Sequence, residues 1–403
     1  MMERKKILAV LPGIIPSTII DVITPLSDLN KSGRITARIT VETFVKKRDI
    51  EWCDLVVLCR NTHPNIAGWF LQILKLGKPY IYDIDDNFFD IPANTPVGKY
   101  HREPSRIRML REYIKLAQLV RVYSSPMYER VQKQNQNIVM VTAPIDLRLI
   151  QPISKPVERQ PVRLVYATSR AVDHLAGIFK PALMRILEEY QEGIEVHFLG
   201  YNPPEFRRYH NVYFQSMMFD YESYLKAFSS AGYDIGLAPL LNDVFHRSKT
   251  NNKFREYGAC HIAGIYSNVD VYSSCVTNKL TGCLVENTSD AWYEAMSTLI
   301  QNADLRLQIK EQAYDFVRKN YSQETFASLW DQQITSILQH PIRRKKSTKA
   351  VEKLIAENSR TRLIAGILRK IFYLAIKSKD KLVNYLKMYW ILMKIRNKLN
   401  QRS

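Results

Sequence analysis

Short apolar runs alternate with longer segments of helical period along most of the chain. Runs of strand length occur at 7–11, 55–59 and 79–83, and after them apolar residues tend to recur every three to four positions. The alternation starts again at 162–166 and continues to about residue 339. Because such alternation is typical of parallel sheets with helical crossovers, the pattern predicts an α/β protein built from two doubly wound, Rossmann-like sheets.

The pattern locates individual elements. The predicted strands are 7–11, 55–59, 79–83, 119–123, 138–141, 162–166, 194–200, 233–237 and 262–267. The predicted helices are 18–31, 104–118, a segment from 126, 175–190, 220–231, 250–260, 289–302, 304–319 and 323–339.

A polar segment with three prolines, residues 147–162, divides the alternation into two blocks, and its composition is typical of a linker. Ligands of open parallel sheets bind beyond the carboxyl ends of the strands, so we expect the functional residues just after strands, in a cleft between the blocks. The predicted domains are a first Rossmann-like domain at 1–146, the linker at 147–162, a second Rossmann-like domain at 163–339 and a basic helical extension at 340–403.

The positive charge is concentrated in the extension. The chain has 58 Lys and Arg against 39 Asp and Glu, a net charge of +19. Residues 340–403 contain 18 basic and 3 acidic side chains, or +15, which leaves +4 for residues 1–339. A nearly neutral body argues against a core that binds nucleic acid.

The cysteines and the hydropathy indicate a cytosolic chain. The five cysteines are scattered without a CxxC pair, so neither a disulfide framework nor a zinc site is predicted. The basic start and the apolar run after it resemble a weak signal peptide, but Pro12 and Gly13 interrupt the run, and we interpret it as a buried first strand. No stretch reaches the roughly 18 apolar residues that a membrane span needs.

The loop and helix from Ser248 onward offer a site for a phosphorylated ligand. Arg247, Lys249 and Lys253 supply positive charge near a helix start, where an anion binds well, and Glu256 lies further into the helix. A carboxylate there can accept two hydrogen bonds from a ribose diol. The alternative is an amphipathic surface helix with ordinary charges.

This segment, with Thr281-Gly282-Cys283-Leu284-Val285 after it, resembles the nucleotide-sugar-binding half of GT-B glycosyltransferases, and most of all the large retaining family 4. The resemblance implies that Glu256 binds the nucleotide ribose. It also implies that Lys253, Glu256 and Tyr257 form the Lys-x-x-Glu-Tyr variant found in some relatives. The partner glutamate of that family, eight positions earlier, falls on Ser248, so the pair is incomplete.

The loop after strand 162–166 adds two candidates. The resemblance places a phosphate-contacting loop here and implies that Arg170 contacts the diphosphate, for which its planar guanidinium is suited. His174 either caps the next helix or binds a phosphate. Both could also be plain loop residues. The similarity covers about residues 4–339 and is specific in 160–330.

An acidic cluster, Asp83, Asp85 and Asp86, follows the third predicted strand. Crowded carboxylates repel one another unless a cation, a hydroxyl donor or raised pKa values relieve the repulsion. The cluster could be a metal-binding DxD, the nucleophile site of a dehalogenase-like phosphatase, or an acidic turn. We prefer a fourth interpretation, in which Asp86 or Asp85 faces the acceptor and is catalytic.

Two further loops border the predicted cleft. Gly13 follows the first strand without a GxGxxG pattern and is a candidate for close backbone approach by a ligand. Arg60-Asn61-Thr62-His63 follows the second predicted strand and places polar groups on the same rim, where we interpret His63 as structural.

Aromatic, aliphatic and basic residues interleave in two stretches of the extension, 363–374 and 382–393. The pattern is typical of helices that lie in a membrane interface, and we expect residues 342–403 to bind an anionic membrane surface. Packing against the protein's own body or a partner, and nucleic-acid binding, are the alternatives.

Together these features predict a glycosyltransferase that uses a nucleotide-diphosphate sugar as co-substrate, without a cofactor, a metal or nucleic acid. The acceptor would be a glycan or a lipid, in surface polysaccharide or glycoconjugate synthesis, with retention implied by the resemblance alone. We expect it on the inner face of the plasma membrane. The alternatives are a catalytically silent scaffold and a metal-dependent phosphatase centred on Asp83 and Asp85.

Overall fold

The computed structural model describes residues 4–151, 160–168, 173–340 and 348–358. Within them the chain forms two sheets of six parallel strands, with helices around both, which confirms the predicted α/β fold class. Arg170 and the stretches 363–374 and 382–393 lie outside the described residues.

The first sheet has the order β2-β1-β3-β4-β5-β6, so the direction of winding reverses between β1 and β3. Its strands are β1 Lys5–Leu11, β2 Ile35–Val41, β3 Leu55–Cys59, β4 Tyr80–Ile84, β5 Leu119–Val122 and β6 Ile138–Met140. The helices of this part are α1 Pro16–Thr18, a π-helical turn Ile19–Ile23, α2 Thr24–Lys31, α3 Lys47–Trp52, α4 Gly68–Lys75, α5 Pro96–His101, α6 Pro104–Leu116 and α7 Ser125–Gln132, with 3-10 turns at Pro64–Ile66 and Leu147–Leu149.

The second sheet has the order β12-β11-β10-β7-β8-β9 and reverses between β7 and β10. Its strands are β7 Val162–Ala167, β8 Ile194–Leu199, β9 Val212–Gln215, β10 Ile235–Ala238, β11 Ala263–Ser267 and β12 Cys283–Val285. The helices are α8 Asp173–Ala176, α9 Lys180–Tyr190, α10 Tyr221–Ser230, α11 Val244–Arg247, α12 Asn252–Ala259, α13 Asp270–Ser273, α14 Ser289–Gln301, α15 Ala303–Asn320, α16 Gln323–Gln339 and α17 Lys349–Glu357, with 3-10 turns at Gln191–Gly193 and Pro204–Phe206.

The central strands are buried on both faces because helices cover both sides of each sheet. Every residue of β3 (LVVLC) and of β4 (YIYDI) is buried. A strand covered on both faces reads as a continuous apolar run rather than an alternating one. This is why the pattern located the central strands.

Two helices near the end of the described chain pack against the first sheet. Trp330 and Ile334 of α16 are buried in one cluster with Ile7 and Leu55, although the sequence places α16 in the second block. Leu354 of α17 joins the apolar cluster on the other face of the first sheet. The start of the basic extension therefore packs on the protein's own body, one of the alternatives left open for it.

No helix in the described parts of the chain is long and apolar enough to cross a membrane.

Candidate functional site

A cavity of about 750 Å³ lies between the two sheets and is lined from both sides. The first sheet contributes residues that follow β1, β3 and β4, and the second contributes residues that follow β7 and β10, together with one face of α12. The cavity thus lies at the carboxyl ends of the strands and at both points where the winding reverses. These are the positions where open α/β sheets bind ligands.

Glu256 lines the cavity and is held by three side chains. One carboxylate oxygen accepts hydrogen bonds from Lys253 Nζ at 2.7 Å and Tyr224 Oη at 3.2 Å. The other accepts one from Asn252 Nδ2 at 2.8 Å. A carboxylate has about four acceptor positions, so Glu256 retains capacity for a ligand hydroxyl. Lys253 also lines the cavity, so the structure brings these two predicted residues together.

Tyr257 is buried in the core instead of lining the cavity. Its hydroxyl donates to the carbonyl of Leu237 at 2.9 Å, and its ring lies against Gly236 of β10. One helical position turns a side chain by about 100°, so Tyr257 faces the sheet when Glu256 faces the cavity. The sequence analysis placed Tyr257 among the residues that bind the nucleotide sugar. The structure corrects this, because the side chain packs in the core.

Gly13 also lies outside the cavity lining, although Ile15 and Ser17 belong to it. A Cβ atom at position 13 would meet nothing within 4 Å. In this structure no close approach therefore requires glycine at this position.

His174 lines the cavity beside a second histidine that the sequence analysis missed. The rings of His174 and His246 are 6.0 Å apart, and both residues line the cavity. Nδ1 of His246 lies 2.7 Å from Asp243 Oδ2. Burial lowers the pKa of His246, which favours the neutral ring, and a neutral ring can offer a donor or an acceptor to a ligand.

Asp83 is fully buried in the core and does not line the cavity. It accepts from Arg121 Nε at 2.8 Å and from Tyr123 Oη at 2.9 Å. Burial raises the pKa of Asp83 to about 6, although the Arg121 charge opposes this shift. Its carboxylate is occupied by Arg121 and shielded from ligands, and this geometry argues against Asp83 as a phosphatase nucleophile or as half of a metal-binding DxD.

Asp85 and Asp86 line the cavity and are both ion-paired. Arg60 reaches Asp85 at 2.5 Å and Asp86 at 3.2 Å, and Lys249 Nζ reaches the other oxygen of Asp86 at 2.7 Å. Because Lys249 follows β10 and Asp86 follows β4, this ion pair joins the two sides of the cavity. The cations relieve the repulsion that the sequence indicated.

Arg60 is a site residue that the pattern placed only on the rim. Its backbone adopts φ 57°, a left-handed conformation that is uncommon for a residue with a side chain. Its amide donates to the carbonyl of Asp83 at 3.0 Å, which fixes this turn beside β4. Strain of this kind is worth of order 1–3 kcal/mol and concentrates at functional sites.

Ser248 lies in the contact between the two sides of the cleft. It is fully buried, and its Oγ accepts from Asn87 Nδ2 at 3.1 Å. Its carbonyl accepts from Ser124 Oγ at 3.2 Å. The position where the resembled family has a second glutamate therefore serves here to join the two sides.

Asp21 is a cavity-lining carboxyl that the sequence analysis missed, because it lies within a predicted helix rather than after a strand. Burial raises the pKa of Asp21 well above its usual range, and the nearby Asp85 and Asp83 add to the effect.

Comparison with known proteins identifies the fold. No family model and no curated protein matches this chain. Among solved structures, Anabaena HepE in complex with UDP is 13% identical with a TM-score of 0.58, over 82% of this chain and 100% of HepE. Sucrose-phosphate synthase from Thermosynechococcus elongatus is 12% identical with a TM-score of 0.62, over 83% of this chain and 100% of the synthase. A glycosyltransferase from Rickettsia africae is 14% identical with a TM-score of 0.58, over 84% and 99%.

The chain has the GT-B fold. At this level of identity the likeness establishes the fold, and a fold of this kind supports more than one function. The function must therefore be argued from the cavity.

Proposed function

We propose that this protein is a glycosyltransferase that moves a sugar from a nucleoside-diphosphate sugar to a hydroxyl group of a glycan or lipid-linked acceptor. The observation that carries the proposal is the arrangement of Glu256 and Lys253 on one side of the cavity and Asp85 and Asp86 on the other. It provides separate places for a nucleotide and for an acceptor.

The donor would bind on the side of α12. Glu256 would accept the ribose hydroxyls, and Lys253, which already donates to Glu256, would fix that carboxylate in place. Lys249 and His174 line the same cavity and would face the diphosphate, and Arg170 is proposed to join them. Cations at this place would stabilise the charge that develops on the leaving nucleoside diphosphate.

The acceptor would bind on the side of the first sheet. We propose that Asp85 and Asp86 face it and stabilise the positive charge that develops on the transferred sugar, which has oxocarbenium character in glycosyl transfer. Asp86 has a second task, because it holds Lys249 through the ion pair across the cavity.

UDP-sugars are the first donors to test. HepE was solved with UDP and with UDP-glucose. We propose in addition that transfer retains the anomeric configuration, that it belongs to polysaccharide or glycoconjugate synthesis, and that residues 342–403 hold the enzyme at an anionic membrane face.

A thermal-shift screen with UDP-, GDP-, ADP- and dTDP-sugars tests donor binding. A ligand at 100 times its Kd stabilises the native state by about 2.7 kcal/mol, so the correct base raises Tm measurably. We expect Glu256→Gln to weaken binding by tenfold or more, since a hydrogen bond to a charged group is worth about 1.5–3 kcal/mol.

Glu222→Gln is the matched control, because Glu222 pairs with Lys226 on the exposed face of α10 and does not line the cavity. Equal binding by wild type and Glu256→Gln would contradict the role of Glu256. Binding of a nucleotide sugar without release of nucleotide in the presence of any acceptor would favour the silent scaffold.

A further inference from the structure

The Asp21 carboxyl lies buried at the wall of the cavity without a partner. It lines the cavity, it is 3% exposed, and its Oδ1 has no hydrogen-bond partner among the residues that the structure describes. It belongs to the π-helical turn Ile19–Ile23 between α1 and α2. Single turns of π-helix occur frequently at functional sites.

The other described carboxylates that line the cavity are occupied. Asp85 and Asp86 form ion pairs with Arg60, and Asp86 also pairs with Lys249. Glu256 accepts from three side chains. Within the described chain, Asp21 is thus the lining carboxyl that no ion pair or side-chain hydrogen bond holds, whereas the capacity left on Glu256 serves the ribose.

An unpartnered buried polar group costs free energy and is rare in native proteins, so it requires an explanation. The packing around Asp21 is ordered, since Trp330 Nε1 donates to its backbone carbonyl at 2.9 Å. A ligand that supplies the missing hydrogen bond would explain why the carboxyl is kept here.

Charged and titratable groups surround Asp21 on several elements. They are Asp83 at the end of β4, Asp85 after β4, Arg60 after β3, Cys59 within β3, Tyr123 after β5 and Arg255 on α12. The two aspartates favour the protonated form of Asp21 and the two arginines oppose it.

We propose that Asp21 is the catalytic base, which accepts the proton of the acceptor hydroxyl during sugar transfer. The inference rests on the proposed function and deepens it. The acceptor oxygen forms a bond to the anomeric carbon on the face from which the nucleoside diphosphate leaves, as retention requires, and its proton passes to the carboxylate of Asp21. The bond from the anomeric carbon to the phosphate oxygen breaks, and its electron pair leaves with the nucleoside diphosphate.

Burial of Asp21 suits it to this task. A general base works best when its pKa lies near the operating pH, which is above the usual pKa of an aspartate. The burial that raises the pKa of Asp21 strengthens it as a proton acceptor.

The first arm of the test measures unfolding free energy against pH in wild type and Asp21→Asn. The folded protein holds the Asp21 proton to higher pH than the unfolded chain does. Wild-type stability therefore falls relative to the variant as pH rises above the usual aspartate range, until Asp21 is ionised in the folded protein. Asp83 is present in both proteins, so the difference reports the titration of Asp21 together with its interaction with Asp83. A constant difference from pH 4 to 8 would overturn the proposal.

The second arm measures release of UDP from UDP-glucose, with water as the acceptor, in the full-length protein. We expect Asp21→Asn to lose about 100-fold or more in rate, since general base catalysis contributes about 10²–10⁴. The fall in wild-type kcat/KM toward low pH should disappear in the variant, while the thermal shift with UDP stays unchanged. Asp28→Asn is the matched control, because Asp28 lies on α2 and pairs with Arg148 outside the cavity.

The outcomes separate the two claims. A wild-type protein that binds none of the UDP-, GDP-, ADP- and dTDP-sugars of the screen and releases nucleotide from none of them contradicts the proposed function and this assignment with it. A wild-type protein that releases UDP, beside an Asp21→Asn variant within twofold of it or with the same pH profile, contradicts the assignment of Asp21 alone.

Discussion

At the scale of residues, the spacing after strands found part of the site, and three-dimensional contacts supplied the rest. The cavity is lined by Asp85 and Asp86, which follow a strand, and by Glu256, which lies on a helix after a strand. These are the places where the sequence analysis expected functional residues. Asp21 could not be found in this way, because nothing in the local sequence shows that it faces the cavity or that Trp330 of α16 contacts it. Tyr257 was misplaced, because adjacency to Glu256 in the motif does not mean that both side chains share a face.

Asp86→Asn should lower turnover by about 100-fold while UDP binding persists. The change removes the charge that fixes Lys249 and Arg60 across the cavity, and loss of such a preorganised charge costs about 10²–10³ in rate. Asp85→Asn should act in the same direction through its Arg60 pair. UDP release and UDP-induced thermal shift, measured on each variant, check the prediction.

Asp90→Asn is the control for these variants. Asp90 belongs to the same loop and pairs with Arg130, but it does not line the cavity. If Asp85→Asn and Asp86→Asn both keep full activity, neither aspartate is catalytic.

At the scale of elements, continuous apolar runs predicted the central strands, and weak patterns hid the edges. The strands β2, β9 and β12 were missed. Only Ile35 is buried in β2 and only Val212 in β9, and β12 has three residues. An edge strand lacks the continuous apolar run of a central strand. Its position depends on hydrogen bonds to the neighbouring strand, which the local sequence does not show. The packing of α16 on the first sheet is also a long-range contact, so the hydrophobic period of α16 itself could not predict it.

Gly236→Ala tests the fit between β10 and α12. A Cβ atom at position 236 would approach the Tyr257 ring to 2.5 Å, and that ring is fully buried. We expect a loss of about 1–3 kcal/mol in unfolding free energy, the usual cost of overpacking a core. Gly13→Ala, where a Cβ meets nothing within 4 Å, should change stability by no more than about 0.5 kcal/mol. Denaturant unfolding of the two variants makes the comparison, and equal stability would show that Tyr257 can move.

At the scale of the whole molecule, the extension at 340–403 has two parts: helix α17, which packs on the first sheet, and the strongly basic segment after it. Helix α17 adds Val351, Leu354 and Ile355 to the core of the first sheet, and Arg108 pairs with Glu357 at 3.1 Å. Helix α17, residues 349–357, therefore belongs to the packed body of the protein. The segment 359–403 carries 12 Lys and Arg against one Asp, so most of the excess charge of the extension lies beyond the packed helix.

A chain that ends at residue 358 should stay folded and lose membrane binding. Each Lys or Arg near an anionic surface contributes about 1 kcal/mol, so removal of 359–403 should abolish flotation with phosphatidylserine vesicles. The cut at 358 keeps α17, so an unchanged Tm and an unchanged thermal shift with UDP show that the body is intact. Neutral phosphatidylcholine vesicles are the control for charge. If the shortened chain floats as well as the full chain, the membrane contact lies on the body. If neither chain floats, the proposed membrane binding is wrong.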